Sequence, residues 1–243
     1  MPPLPTQNNI KTQILEISPN SDYDFQVQEK SIENKLKTGT TTVGLIIKDG
    51  VVLATDNRAT MGIFVASKQA KKLHEIQPHI YMTIAGGVAD AIYLIDLLKA
   101  ETEIYRLRNK KDISVSAAAK LLQNILYNKK GFYQVGHILG GVSPNEGPKI
   151  YNIEGYGSKL DEHYTSVGSG SVFALGVLET EWKENLTVDQ GIHLAVKAVR
   201  SAIIRDIASG NGIDVVVIQK DQPVIEKHYE VSDKSLISNN FKP

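Results

Sequence analysis

Thr40 has the clearest chemical potential of any residue in this chain, because it directly follows Gly39 and opens an apolar run. A threonine hydroxyl is a weak nucleophile that needs a base beside it. If the chain is cut between Gly39 and Thr40, the freed α-amine has a reference pKa of about 7.7–8.0 and lies within reach of that hydroxyl. Threonine paired with an N-terminal amine is one recognised form of activated nucleophile. Taken alone, however, Thr40–Thr42 is more often only the start of a β-strand, which β-branched residues favour.

Three further polar segments could supply the charges and hydrogen bonds that this nucleophile would need. An aspartate near the C-terminal end of a helix, such as Asp206, is disfavoured by the helix macrodipole, and such local conflicts are more frequent at functional sites. Each segment alone also fits a simpler interpretation as a solvated turn or a polar surface. The segments are Thr55–Thr60, which contains Asp56 and Arg58, then Lys71–Lys72, and Arg205–Gly210.

The hydrophobic pattern predicts the elements that must position these residues. Thr40–Thr55 is predicted to form a hairpin around the turn at Asp49–Gly50. A capping box at Thr187 and Gln190 begins a helix that runs to Gly210. Because helices are grouped between runs of strands, we expect an α+β fold with antiparallel sheets covered by helices. The other predicted elements are strands at 79–84, 136–142, 150–153, 164–167 and 215–218, a helix at 90–109, and a helix at 117–126 after the cap candidates Asp112 and Ser114.

Residues 1–39 differ in composition from the rest of the chain. They are rich in proline and polar residues, lack a sustained apolar period, and cannot bury enough surface to become ordered alone. The core pattern begins at Thr40, so the change in composition coincides with the proposed cleavage site. We expect 1–39 to be a propeptide removed on maturation and 40–243 to be one domain with a polar C-terminal tail. A simple disordered tail would have the same composition.

The overall composition excludes several classes of function. The chain has 243 residues, and 27 basic residues balance 27 acidic ones, so neither nucleic acid nor a membrane surface is an expected partner. There is no cysteine, and the six histidines lack a metal-ligand spacing. No phosphate-binding loop or hydrolase nucleophile elbow is present, so we expect no cofactor and no metal. Without a signal peptide or a long apolar stretch, the expected location is the cytoplasm.

Together the polar segments resemble those of the catalytic β-subunits of the 20S proteasome, of the archaeal type, over essentially all of 40–218. The matching pieces are Gly39-Thr40-Thr41-Thr42-Val43-Gly44, Thr55-Asp56-x-Arg58-x-Thr60, Lys72, Thr83-Ile84-Ala85-Gly86, Gly168-Ser169-Gly170-Ser171 and Asp206-x-x-Ser209-Gly210. The resemblance implies an N-terminal-nucleophile hydrolase, with a four-layer αββα sandwich of two antiparallel sheets.

The resemblance also implies a role for each matched residue, carried over by position. Thr40 resembles the nucleophile, released by cleavage after Gly39, and Arg58 resembles a structural partner. Main-chain groups of Thr60 and Gly86 resemble those that pair with an extended substrate. The implied catalytic assistants are Lys72 as a buried ammonium, Asp56 as its carboxylate partner, Gly86 as the oxyanion donor, and Ser169, Asp206 and Ser209 as the group that holds the terminal amine and its water.

The activity implied by the resemblance is that of a self-processing threonine endopeptidase that degrades unfolded proteins. The pocket residues implied by position are Ala59, Ala70, His74, Ile84, Val88 and Ile92. Because they include no acidic residue and are mostly apolar, we expect cleavage after apolar side chains. Val88 is bulkier than the alanine frequent at that place, which would narrow the pocket. The implied partners are other β-subunits in a seven-membered ring, proteasome α-subunits and an ATP-dependent unfoldase.

Two alternatives stay open at this point. The related bacterial two-ring, ATP-dependent peptidase has the same opening, but a mature chain from Thr40 to Pro243 is long for it, and the two serine–glycine pieces fit the proteasome better. A non-catalytic ring subunit of the same fold usually lacks the threonine or the lysine. This chain has both Thr40 and Lys72.

Overall fold

Two antiparallel β-sheets lie face to face, and a pair of helices covers the outer face of each. The structure is a computed structural model that describes residues 39–129 and 131–231. The α+β class and the four-layer sandwich predicted from the sequence are confirmed. The predicted leader, apart from Gly39, and the predicted C-terminal tail from residue 232 onward lie outside the described residues.

The strands are β1 Thr42–Ile47, β2 Gly50–Asp56, β3 Ala59–Met61, β4 Phe64–Ser67, β5 Leu73–Gln77, β6 Ile80–Thr83, β7 Ala85–Gly86, β8 Val135–Ser143, β9 Gly147–Glu154, β10 Lys159–Asp161, β11 Tyr164–Val167, β12 Gly212–Gln219 and β13 Ile225–Glu230. The first sheet has five strands in the order β11-β1-β2-β12-β13, and the second has the order β10-β9-β8-β6-β5, with the short β7 beside β8. A separate hairpin joins β3 and β4.

Four helices complete the described part of the chain, and side-chain caps begin two of them. Ser114 accepts a hydrogen bond from the backbone of the second helix, and Thr187 with Gln190 forms the predicted capping box of the fourth. That fourth helix ends at Arg205, so the prediction that it runs to Gly210 is wrong at its C-terminal end. The helices are α1 Val88–Asn109, α2 Val115–Asn128, α3 Ser171–Glu181 and α4 Val188–Arg205.

Helix α3 was not predicted from the sequence. Gly170 at its N-cap makes no side-chain cap hydrogen bond, so the usual start signal is absent. Its apolar residues also do not lie on one face, because Ala174 is buried while Val172 and Phe173 are exposed. Helix α3 therefore forms through packing against α4 and the first sheet, which the local sequence does not report.

Apolar residues fill three layers that follow the strand period of two. On β12, for example, Val215 and Val217 face α3 and α4, whereas Val216 and Ile218 face the other sheet. A third cluster packs α1 and α2 against the second sheet. The interior thus consists of two layers between helices and a sheet and one layer between the two sheets. This packing fixes the ends of β1, β2 and β12 relative to one another.

His137 on β8 gives the fold a sensitivity to acid. Its side chain is fully buried, Nδ1 donates to the Thr83 carbonyl at 3.1 Å, and Nε2 has no hydrogen-bond partner among the described residues. Burial lowers the pKa of His137 to about 4, against about 6.5 in an unfolded chain. As pH falls between these values only the unfolded state takes up the proton, so the free energy of unfolding drops by about 1.4 kcal/mol per pH unit.

We expect His137→Gln to weaken this pH dependence, because an amide can still donate to Thr83 but does not titrate. The measurement is thermal unfolding of wild type and variant at a series of pH values from 7 to 4. The wild-type midpoint should fall more steeply on acidification than the midpoint of the variant. Parallel curves would show that His137 is not the responsible group.

Candidate active site

Asp56, the last residue of β2, is fully buried and accepts hydrogen bonds at both carboxylate oxygens. Oδ1 accepts from the Thr41 backbone N–H and from Lys72 Nζ, each at 2.8 Å. Oδ2 accepts from the backbone N–H groups of Arg58 and Gly210, each at 3.0 Å. A buried carboxylate needs such compensation. Asp56 therefore joins three chain segments and pairs with a single buried cation.

Lys72 is that cation, and its side chain is only 5% exposed. Burial holds the pKa of Lys72 below its ordinary value, while the charge and hydrogen bond of Asp56 offset part of this effect. Asp206 also favours the charged lysine, and Arg58 disfavours it. A lysine whose pKa is lowered in this way gives up its proton more readily than an exposed one.

A second network of hydroxyls and one carboxylate surrounds Thr40. Ser169 and Ser209 both donate to Asp206 Oδ2, at 2.7 Å and 2.6 Å. Since each serine hydroxyl has a single hydrogen, Ser169 Oγ is left to accept from the Thr40 backbone N–H at 3.1 Å. By the same reasoning Ser209 Oγ accepts from Thr41 Oγ1 at 2.6 Å. Asp206 thus orients two hydroxyls toward the start of β1.

Thr41 belongs to both networks, although its residue type alone favours only a β-strand. Its N–H donates to Asp56, its carbonyl accepts from the Asp56 N–H at 3.1 Å, and its hydroxyl donates to Ser209. Nothing in the residue type separates Thr41 from its neighbours. Only the pairing of β1 with distant segments reveals that it connects Asp56 to Ser209.

Arg58 has the structural role that the resemblance implies. Its guanidinium donates to the Ile207 carbonyl at 2.8 Å and to Asn211 Oδ1 at 3.1 Å. A Cβ at Gly210 would lie 2.3 Å from the guanidinium carbon, so the side chain packs directly on this backbone. Arg58 therefore fixes the loop that carries Ser209.

Two glycines at the site are required by close approach. A Cβ on Gly39 would lie 1.7 Å from the Cβ of Ala208, and a Cβ on Gly86 would lie 2.3 Å from the Gln134 carbonyl oxygen. Gly86 also has φ +98°, which disfavours other residues. The Gly39 N–H donates to Thr60 Oγ1 at 3.0 Å. The residue before Thr40 is thus hydrogen-bonded to β3, the strand that is predicted to pair with an extended substrate.

A cavity of about 40 Å³ lies beside Thr40. Of the six predicted pocket residues, Ala59, Ala70, Ile84 and Val88 line it, whereas His74 and Ile92 do not. The complete lining is Gly39, Thr40, Ala59, Ala70, Lys71, Lys72, Ile84, Ala85, Gly86 and Val88. The cavity contains no acidic residue, and it brings the predicted nucleophile, lysine, oxyanion donor and pocket wall together.

Three clefts among the described residues are larger than this cavity, and none of them contains a predicted site residue. One of them, of about 540 Å³, lies between 77–79 and 218–224. In the part of the chain that the structure describes, no group of three or more His, Asp or Glu side chains could hold a metal ion. Within residues 39–129 and 131–231, no helix has the length and apolarity needed to cross a membrane.

Comparison with known proteins finds similar sequences over most of the chain. A sequence model of the family described as "Proteasome subunit" matches residues 36–218. A "Proteasome subunit beta" of Halorubrum lacusprofundi is 48% identical over 201 residues, covering 83% of this chain and 82% of the relative. A protein of the same name from Archaeoglobus profundus is 48% identical over 209 residues, covering 85% of this chain and 96% of the relative. A third, from Haloferax volcanii, is 48% identical over 196 residues, or 81% of this chain and 80% of the relative.

Proposed function

Since this chain belongs to the proteasome subunit family as a β subunit, and so to a peptidase assembled with other proteasome subunits, we propose that its catalysis is of the threonine type, with Thr40 as the nucleophile. The observation that carries the proposal is the placement of Thr40 and Lys72 in the wall of one cavity, with the Ser169–Asp206 pair hydrogen-bonded at the Thr40 nitrogen.

The proposed maturation step uses the same nucleophile as catalysis, although the Thr40 nitrogen is still an amide and cannot yet act as a base. The Thr40 hydroxyl attacks the Gly39 carbonyl carbon, the Gly39–Thr40 C–N bond breaks, and the nitrogen takes up the proton to become an amine. Water then hydrolyses the resulting ester, which releases residues 1–39 with a C-terminal carboxylate. Gly39 suits this step because it has no side chain where Ala208 approaches.

In the proposed hydrolysis the free Thr40 amine accepts the proton of its own hydroxyl as the oxygen attacks a substrate carbonyl. The Gly86 N–H stabilises the negative charge that develops on the carbonyl oxygen, a kind of contact typically worth about 2.7–4 kcal/mol. The amine then protonates the leaving nitrogen, and water releases the acyl group. Lys72 assists because a nearby cation favours both a neutral amine and an ionised hydroxyl.

Apolar walls at Ala59, Ala70, Ile84 and Val88 support a preference for cleavage after apolar residues. Assayed with short fluorogenic peptides, the assembled particle should hydrolyse substrates that end in an apolar residue faster than those that end in an acidic one. Val88→Ala enlarges the pocket and should increase the rate most for the bulkiest apolar residue. Equal rates for acidic and apolar peptides would refute the preference.

We further propose the quaternary context that the family implies. The subunit takes its place in a seven-membered β-ring stacked on α-subunits, in the cytoplasm, and an ATP-dependent unfoldase supplies unfolded polypeptide. A non-catalytic ring subunit is not favoured, because Thr40, Lys72 and Asp56 are all present. A bacterial two-ring peptidase is not favoured either, since the relatives above are proteasome β subunits that this chain covers over at least 80% of their length.

N-terminal sequencing of the purified, assembled particle tests the proposed function. The mature subunit should begin at Thr40, and an electrophilic peptide inhibitor should modify that residue alone. An active particle whose subunit retains residues 1–39 would rule out the threonine mechanism.

A further inference from the structure

Asn57 lies between Asp56 and Arg58, and its backbone is hydrogen-bonded both to the loop after α4 and to the segment before Lys72. Its N–H lies 3.3 Å from the Gly210 carbonyl oxygen and 3.1 Å from that of Gly212, and donates to both. Its carbonyl accepts from the Ala70 N–H at 2.8 Å, two residues before Lys72. A displacement of Asn57 would therefore move both the loop at Gly210, next to Ser209, and the segment that leads to Lys72.

The side chain of Asn57 begins a polar chain that leads to the edge of the first sheet. Nδ2 donates to Asp214 Oδ2 at 2.8 Å, and Asp214 Oδ1 accepts from His228 Nδ1 at 2.7 Å. Asp214 on β12 lies directly opposite His228 on β13 and opposite Thr55 on β2. Because a carboxylate only accepts, both donor atoms carry their hydrogen toward Asp214, which fixes the orientation of the Asn57 amide.

That orientation leaves Asn57 Oδ1 buried without a hydrogen-bond partner among the described residues. A buried acceptor that lacks a partner destabilises the folded state. Asn57 is 6% exposed, so solvent does not repay this cost. The Asn57 side chain is therefore held by a single hydrogen bond, from Nδ2 to the Asp214 carboxylate.

We propose that Asn57, Asp214 and His228 form a positioning network that holds the Asp56 carboxylate, and through it the Lys72 ammonium, in the geometry used for catalysis. The inference rests on the proposed function. None of the three contacts the cavity beside Thr40, so they are positioning residues and not catalytic ones.

Docking of β13 does not by itself account for the network. The strand pairs with β12 over six residue pairs, and it has a second side-chain anchor where the Tyr81 hydroxyl donates to Glu226 at 3.1 Å. The Glu226–Tyr81 contact does not involve Asn57. Glu226→Ala therefore removes an anchor of the same strand and none of the hydrogen bonds among Asn57, Asp214 and His228, and it serves as the matched control.

The test measures kcat, KM and the pH profile of assembled particles. Misplacing a catalytic group by about 1 Å can cost about a hundredfold in rate, and we expect Asn57→Ala to lower kcat by about ten- to a hundredfold with little change in KM. His228 is 52% exposed, so His228→Ala creates no buried cavity and should lower kcat less. The double variant should be no slower than Asn57→Ala, because His228 acts through Asn57. Glu226→Ala should retain the wild-type kcat.

The alkaline limb of the pH profile separates positioning from general damage. Contact with Asp56 raises the pKa of Lys72, as does the charge of Asp206, whereas burial and Arg58 lower it. Displacing Asp56 therefore lets the ammonium lose its proton at lower pH, and the alkaline limb should move to lower pH in Asn57→Ala and, less far, in His228→Ala. It should not move in Glu226→Ala.

Each outcome decides the inference. If wild type matures at Thr40 and is active but neither variant changes kcat or the alkaline limb, the network has no positioning role and the proposed function stands. If Glu226→Ala shifts the limb as far as the variants do, strand docking explains the effect. Should Asn57→Ala fail to assemble, His228→Ala decides: a shifted limb supports the network and an unshifted limb overturns it. An inactive or unprocessed wild type refutes the proposed function itself.

Discussion

Thr40→Ala is expected to abolish peptide hydrolysis and to leave residues 1–39 attached to the subunit. The substitution removes the hydroxyl that would attack both the Gly39 carbonyl and the substrate, so both reactions fail together. Thr40 is 5% exposed and its backbone N–H hydrogen bond to Ser169 does not depend on the side chain. The variant should therefore fold and assemble. Intact mass and peptidase activity of the purified particle measure the two effects.

Thr40→Ser is the matched control for that experiment, because it keeps the hydroxyl and loses only the methyl group. A serine has more χ1 freedom than a threonine, so we expect processing and hydrolysis to continue at a reduced rate. If Thr40→Ala were cleaved after Gly39 or hydrolysed peptides, another residue would be the nucleophile. Loss of both reactions in Thr40→Ser would instead indicate that the methyl group, not only the hydroxyl, is needed to position the attacking oxygen.

Local sequence signals predicted the fold where they were strong. A tight turn does join β1 to β2, but its two residues are Lys48 and Asp49, with Asp49 at φ +60°, one position before the predicted Asp49–Gly50. The capping box at Thr187 begins α4 as predicted. They failed where packing decides: α3 has neither a side-chain cap nor a single apolar face. Strand β13 was also missed, because charged and apolar residues mix along an edge strand that is only partly buried.

The candidate site shows the same division between local and long-range information. Each polar segment taken alone was only a weak indication of function. The roles of Asp56 and Lys72 were assigned by the order and separation of the pieces that match proteasome β-subunits. The structure pairs Asp56 with Lys72 at 2.8 Å. No local pattern could report that Thr41 donates to Ser209, or that Asn57 reaches Asp214, since these pairs are 168 and 157 residues apart. Such contacts depend on strand register across the sheet.

Lys72→Met should lower peptide hydrolysis by about 10²–10⁴-fold, the range expected when a group that assists proton transfer is removed. Breaking a buried ion pair usually costs about 3–5 kcal/mol of stability because one charge is left uncompensated. Here Asp56 keeps three backbone N–H donors, from Thr41, Arg58 and Gly210, so we expect the thermal unfolding midpoint of the particle to fall only moderately. Activity is thus lost far out of proportion to stability.

The pH profile shows whether the ammonium form of Lys72 is the active one. Burial lowers the pKa of Lys72, so wild-type activity should decline at a pH below the pKa of an ordinary lysine. The residual activity of Lys72→Met should lack that decline. Lys149→Met is the matched control, because Lys149 pairs with Asp161 at the same 2.8 Å but both side chains are partly exposed. Exposed pairs contribute little, so this variant should keep wild-type activity and its alkaline decline. An alkaline decline retained in Lys72→Met would assign the titration to another group, and the Thr40 hydroxyl would then be activated without help from this lysine.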